Sequence, residues 1–154
     1  MHLTLSRCCL VDGHLNLIQQ KLVTLQTLDI SFNKFTSDEL LDFLDKVVRL
    51  VAPVAHAGRH KERQTTNAYI QGYNSDTKVK IRSINVAGNS LKDSNHIMID
   101  HTLPELVKLT TISHLDFSLM DLQPVSLKLI VTALKTARSL QSIHLSGQRV
   151  KVIR

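Results

Sequence analysis

Four stretches of the chain can be laid over one another without a gap. Leu25, Leu28, Ile30, Asn33 and Phe35 align with Ile81, Ile84, Val86, Asn89 and Leu91. The same spacing recurs in Ile112, Leu115, Phe117, Met120 and Leu122, and again in Leu140, Ile143, Leu145, Gln148 and Val150. Each stretch obeys L-x-x-L-x-L-x-x-N-x-L, with other apolar residues admitted for Leu and with Met120 or Gln148 replacing Asn. A fifth copy, lacking its head, opens the sequence as Leu3, Leu5, Cys8 and Leu10. A chain that repeats one short unit repeats one local structure, and each unit buries its apolar residues against its neighbours.

The pattern has a direct physical reading. Residues two apart, such as Leu28 and Ile30, point to the same side of a short strand and enter the core, while Asp29 between them faces outward. An Asn or Cys at the following turn can bond to backbone groups of the neighbouring coil, where a small polar group must sit inside the bend. The spacing from Leu3 to Leu28 is 25 residues, from Leu28 to Ile84 it is 56, from Ile84 to Leu115 it is 31 and from Leu115 to Ile143 it is 28. The interval of 56 is twice 28, so it holds either one degenerate repeat or an insertion.

The segments between these stretches read as helices. Thr36-Ser-Asp-Glu39 has the form of a capping box, followed by Leu40, Leu44, Val47, Val48 and Val51 at helical spacing. Pro124 suits a first helical turn, and Leu127, Ile130, Val131 and Leu134 form one apolar stripe. Weaker helical patterns run from Leu15 to Leu22 and from Ile97 to Leu109, where Pro104 starts or kinks a turn.

Strand, Asn turn and helix in this order resemble the leucine-rich repeat family, whose pattern admits Asn or Cys at the turn. A unit of about 28 residues with a full helix resembles its ribonuclease-inhibitor-like subfamily. The resemblance covers nearly the whole chain except about residues 53 to 80. It implies an α/β fold: a right-handed β-α superhelix of about five repeats, a single domain over residues 1–154, with a curved parallel sheet inside and helices on the convex side. Strands are predicted near Leu5, Ile30, Val86, Phe117 and Leu145, and helices near residues 37–51 and 124–137. Leu3 stands near the start and Arg154 follows soon after Leu145, so both ends of the stack are expected to lack capping units and to be covered by neighbouring subunits.

Composition agrees with an aliphatic, repetitive interior. Aromatics make up 4% of the chain and Trp is absent, so Leu, Ile and Val must fill the core. No run of about 18 apolar residues exists, and the longest candidate, Val47 to Ala55, is broken by Arg49 and Pro53. Arg7 and Asp12 interrupt any signal-like apolar run. Cys8 and Cys9 are the only cysteines, and adjacent residues rarely pair with each other, which favours a soluble, reducing compartment, the cytoplasm.

Residues 53–80 depart from the repeat. Arg59, Lys61, Arg63, Lys78 and Lys80 stand there against Glu62 and Asp76, a net of +3 within a chain whose formal charge is +6. One reading is a solvated, mobile loop. The other is a basic arm for an acidic protein surface, nucleic acid or lipid headgroups, with Tyr69 and Tyr73 available for stacking.

Catalytic and cofactor chemistry finds little to stand on. His56 and His60 have i, i+4 spacing, but Gly58 lies between them and no third metal ligand is evident. Cys8 reads as a buried turn residue rather than a nucleophile, because no base is placed to activate it. Asp29 and Asp116 share a face but lie too far apart for a paired dyad, given strands about 4.8 Å apart. The scattered glycines form no phosphate cradle. The expectation is a non-enzyme with no cofactor and no metal.

The strand face is therefore the expected binding surface. Thr4, Asp29, Asn85, Asp116 and His144 form one outward row, and Thr27, Ser83, His114 and Ser142 form the row beside it. Arg7, Phe32, Gly88, Leu119 and Gly147 lie towards the turns, with Phe32 and Leu119 apolar where solvent is expected. The protein-binding candidates are Asp29, Phe32, Asn85, Asp116, Leu119 and His144. Fold resemblance points first to a protein-interaction scaffold, one subunit of a larger assembly such as a cytoskeletal or ciliary one. A second reading is a nucleic-acid or ribonucleoprotein component using the basic residues of 53–80, motivated by the sequence pI of about 9.6. A third is the recognition subunit of an enzyme.

Overall fold

The computed structural model describes residues 1–51, 79–92 and 96–148. Strands and helices alternate along the chain: β1 (His2–Thr4), α1 (Gly13–Gln19), β2 (Thr27–Asp29), α2 (Ser37–Val51), β3 (Ser83–Asn85), α3 (His96–Lys108), β4 (His114–Asp116), α4 (Pro124–Leu134) and β5 (Ser142–His144). The five strands form one sheet in the order β1-β2-β3-β4-β5, and every pairing is parallel. The chain is an α/β protein.

The register aligns equivalent residues of successive units: Leu3 with Leu28, Leu28 with Ile84, Ile84 with Leu115 and Leu115 with Ile143. β2 and β3 are direct neighbours, so no strand from the 56-residue interval stands between them in the sheet. Of that interval's basic candidates, Arg59, Lys61, Arg63 and Lys78 lie outside the described residues, as do Tyr69, Tyr73, His56 and His60. Lys80 is exposed, whereas Val79 is buried and joins the hydrophobic core, so the core resumes one residue before the predicted boundary.

Each regular strand is centred two residues before the position predicted from the repeat, at Leu3, Leu28, Ile84, Leu115 and Ile143. Backbone pairing nevertheless continues past the strands: Leu5 N–H donates to Asp29 O and Arg7 N–H to Ser31 O, and Ile30 N–H donates to Asn85 O. In β2, β3 and β4 a side chain marks the end of the strand. Asp29 Oδ1 accepts from Ser31 N–H at 3.0 Å, Asn85 Oδ1 from Ala87 N–H at 3.0 Å and Asp116 Oδ1 from Ser118 N–H at 2.9 Å. An acceptor that bonds its own backbone two residues on starts a turn, so extended geometry ends there.

The core follows the inward positions. Leu28, Ile30, Ile84, Val86, Leu115 and Phe117 are all buried, and the helices close over them with Leu40, Leu44, Val47, Val48, Leu103 and Leu106. At the start of α2 only half of the predicted capping box forms. Glu39 N–H reaches Thr36 Oγ1 at 3.4 Å, but the Thr36 N–H donates to Asp12 Oδ1 at 2.7 Å in place of Glu39. A carboxylate from the preceding coil thus anchors the helix entrance. α4 also differs from its predicted stripe. Val131 is exposed, and the buried residues are Ser126, Ile130 and Ala133, because Ser126 turns towards α3 and donates to Asp100 Oδ1 at 2.6 Å. α4 ends at Leu134, three residues before the predicted limit, and Val125, Leu129 and Val131 are exposed on it.

Candidate interaction surface

The outward rows form the open face of the sheet. Thr4 and His144 are exposed, while Asp29, Asn85 and Asp116 between them are half-buried. In the adjacent row His2 and His114 are exposed and Thr27, Ser83 and Ser142 are half-buried. None of these ten positions is Lys or Arg, although the chain carries a formal charge of +6. Cationic groups stand instead at the strand ends, with Arg82 before β3 and Arg7 after β1.

Asp29, Asn85 and Asp116 were predicted as contact residues, and each has one side-chain oxygen committed to its own turn. The D-x-S spacing of Asp29 to Ser31 and Asp116 to Ser118 carries that signal in the sequence, since a carboxylate bonds most easily to the backbone two residues on. Beside these turns the serines pair between coils, Ser31 with Ser6 at 2.8 Å and Ser146 with Ser118 at 3.0 Å. Ala87 separates the two pairs. Ser113 Oγ lies 2.8 Å from His114 Nδ1 and 3.1 Å from Arg82 O, so this hydroxyl is shared between the imidazole and the neighbouring coil. Asp29 and Asp116 have β3 between them and form no dyad. Among the described residues no group of three His, Cys, Asp or Glu is placed to hold a metal ion.

The turns are built around an amide ladder. Asn89 is buried, donates through Nδ2 to Ile30 O, Val86 O and Ala87 O, and accepts Asn33 N–H at 3.1 Å. Asn33 donates to Leu5 O and Ile30 O and accepts from the N–H groups of Cys8 and Leu10. It was predicted buried and is half-buried, because the coil that covers it belongs to the edge strand. Cys8, predicted buried, is exposed for the same reason. Gln148 was predicted not to reproduce the Asn geometry equally well, and it keeps only the bridge to the preceding coil, donating to Phe117 O and accepting Leu122 N–H, without the bonds that Asn33 and Asn89 make to carbonyls of their own turns. Its extra methylene supplies the reach.

Met120 has no amide to offer, and there the backbone substitutes for it. Leu91 N–H is accepted by Met120 O at 2.9 Å, and the residue after Met120, Asp121, takes φ of 57°. The same second left-handed residue follows Cys8, at Cys9, but none follows Asn33 or Asn89. Rotating that peptide turns the Met120 carbonyl towards the neighbouring coil, where an amide side chain would otherwise act.

One position of every turn is left-handed: Arg7, Phe32, Gly88, Leu119 and Gly147 all have φ between 53° and 70°. Phe32 and Leu119, predicted as contact anchors, each lie over the glycine of the next coil. A Cβ on Gly88 would overlap the Phe32 ring, and one on Gly147 would overlap Leu119 Cδ2. The Arg7 guanidinium stacks on the other neighbour, 4.5 Å from the Phe32 ring centroid. Gly88→Ala is expected to destabilise the protein by about 1–2 kcal/mol, since a Cβ is strained at positive φ and Phe32 must move. Gly88→Ala combined with Phe32→Ala should recover only the part due to the ring. Equal melting of wild type and Gly88→Ala would refute this account of the turn.

Comparison with known protein families, with curated proteins and with solved structures gives no match. The functional reading therefore rests on the residues themselves. Among the described residues, no helix is long and apolar enough to cross a membrane.

Proposed function

We propose that the chain is a leucine-rich repeat solenoid of the ribonuclease-inhibitor-like type and acts as a non-catalytic scaffold for protein–protein interaction. The observation that carries this reading is the open sheet face: five parallel strands in sequence order present short polar side chains in aligned rows, while their inward residues are buried. Such a face lets a partner backbone approach closely over several strands at once. Among the described residues, the exposed Val125, Leu129 and Val131 of α4 support placing the chain within a larger cytoplasmic assembly, where another subunit covers them. No cofactor enters the proposal.

Capture of partners from the native source by full-length protein tests it. Ser83→Arg places a long charged side chain in the middle of the face and should abolish capture, while Lys21→Glu, beyond α1 and on neither surface, should leave it intact. Capture that survives Ser83→Arg would overturn the strand-face reading. Capture that is lost on nuclease treatment would favour the ribonucleoprotein reading instead.

A further inference from the structure

The coils act as controls for one another. In the coils of β2 and β4 the outward row carries Asp, and a bulky apolar residue follows three positions later: Asp29 with Phe32, and Asp116 with Leu119. In the coils of β3 and β5 the same two positions hold Asn85 with Gly88 and His144 with Gly147. The turn itself requires neither feature of the first kind. Asn85 makes the same bond to the N–H two residues on that Asp29 and Asp116 make, without a charge. Gly88 and Gly147 adopt the same left-handed backbone as Phe32 and Leu119. They do so without the roughly 1–2 kcal/mol that this conformation costs a residue with a Cβ.

Phe32 and Leu119 lean on the next coil's glycine but remain 39% and 46% exposed. Charge and exposed apolar surface thus coincide twice on the open face, beyond what the turns use. β3 lies between the two pairs, so at about 4.8 Å per strand they stand roughly 10 Å apart. The chain's own Arg7 guanidinium already lies over the Phe32 ring, 4.5 Å from its centroid, so a partner's cation is left to the carboxylates and its apolar residues to the exposed remainder of Phe32 and Leu119.

We propose that Asp29 with Phe32, and Asp116 with Leu119, are two subsites for one extended partner segment carrying two basic–aliphatic pairs. Each pair is Arg or Lys beside an aliphatic residue, and the pairs repeat every three residues, because a polyproline-II segment turns once in three residues and advances about 3.1 Å per residue, which returns like side chains to one face about 9 Å apart. Asp29 Oδ1 is held by Ser31 and Asp116 Oδ1 by Ser118, which fixes each carboxylate for the incoming cation. This inference rests on the strand face being the interaction surface and adds the chemistry of what it takes.

Fluorescence anisotropy on the full chain tests it, with the synthetic peptide Arg-Leu-Ser-Arg-Leu-Ser as probe. Arg-Ser-Ser-Arg-Ser-Ser keeps the charge alone, and Glu-Leu-Ser-Glu-Leu-Ser reverses it. The first peptide should bind about tenfold or more tightly than either control. Asp29→Asn with Asp116→Asn keeps the turn acceptors, as Asn85 does, and should weaken binding by about tenfold or more. Phe32→Gly with Leu119→Gly should do the same. Circular dichroism and melting confirm that each variant is folded. If one double variant is not folded, Asp29→Asn and Leu119→Gly read the two subsites singly. Equal binding of the charge-only peptide, no binding of the first peptide, or unchanged binding by the folded variants would overturn the proposal. A partner protein whose capture is blocked by Ser83→Arg but unaffected by these variants would also overturn it, while leaving the scaffold function standing.

Discussion

Phe117→Ala should destabilise the protein by about 3–5 kcal/mol, the range for emptying a fully enclosed aromatic site. Phe117 is 0% exposed and follows β4 on the inward side of the sheet. Its N–H donates to His144 O and its carbonyl accepts from Gln148, so the backbone around it is held from the next coil. The lost side chain therefore leaves a cavity that the neighbouring coils are poorly placed to collapse into. Domain stabilities lie near 5–15 kcal/mol, which makes this a large fraction of the whole. Phe32→Ala is the matched control, because the same deletion at a half-exposed turn should cost about 1 kcal/mol or less. Urea unfolding checks both, as a fall in midpoint at constant slope. Equal costs for the two phenylalanines would show that the inward and outward positions of the repeat have been exchanged.

Asn89→Ala carries the second large effect, about 3 kcal/mol, because it strips partners from several backbone groups in a dry turn. Ile30, Val86 and Ala87 carbonyls lose a donor, and the Asn33 N–H loses its acceptor. Asn33→Ala makes a similar deletion at a half-buried site, where water can replace part of what is lost. Its cost should fall lower in the range of about 1–3 kcal/mol. In a protein of this size each kcal/mol lowers the melting temperature by roughly 2–4 °C, so thermal unfolding separates the two variants. A neutral shift for Asn89→Ala would remove the amide ladder as a source of stability. Asn89→Asp keeps an acceptor but loses the donors and buries a charge, and it should be no milder than Ala.

The repeat made much of this architecture legible from residues alone. Leu28 and Ile30, Ile84 and Val86, and Leu115 and Phe117 are inward and buried as their spacing requires, since a strand alternates its faces whatever lies beyond it. The outward rows follow from the same alternation. What the pattern concealed was the work done by the residues between. Asp29, Asn85 and Asp116 each bond two residues ahead, which marks the ends of β2, β3 and β4 earlier than their apolar spacing suggests. Gln148 and Met120 look like equal departures from Asn, yet one reaches the neighbouring coil through a longer side chain and the other leaves that bond to the backbone.

Local chemistry by itself determined the alternation of strands and helices and which side of each strand is apolar, because propensity and periodicity act over a few neighbours. Only the tertiary structure decided that β3 pairs directly with β2 across a 56-residue interval, since spacing alone allowed a further strand there. It also decided that Cys8 is exposed on an edge coil, that Val131 faces outward and Ser126 inward, and that Phe32 covers Gly88. Each of these depends on what the next coil places alongside, and burial is a property of two coils together rather than of either sequence.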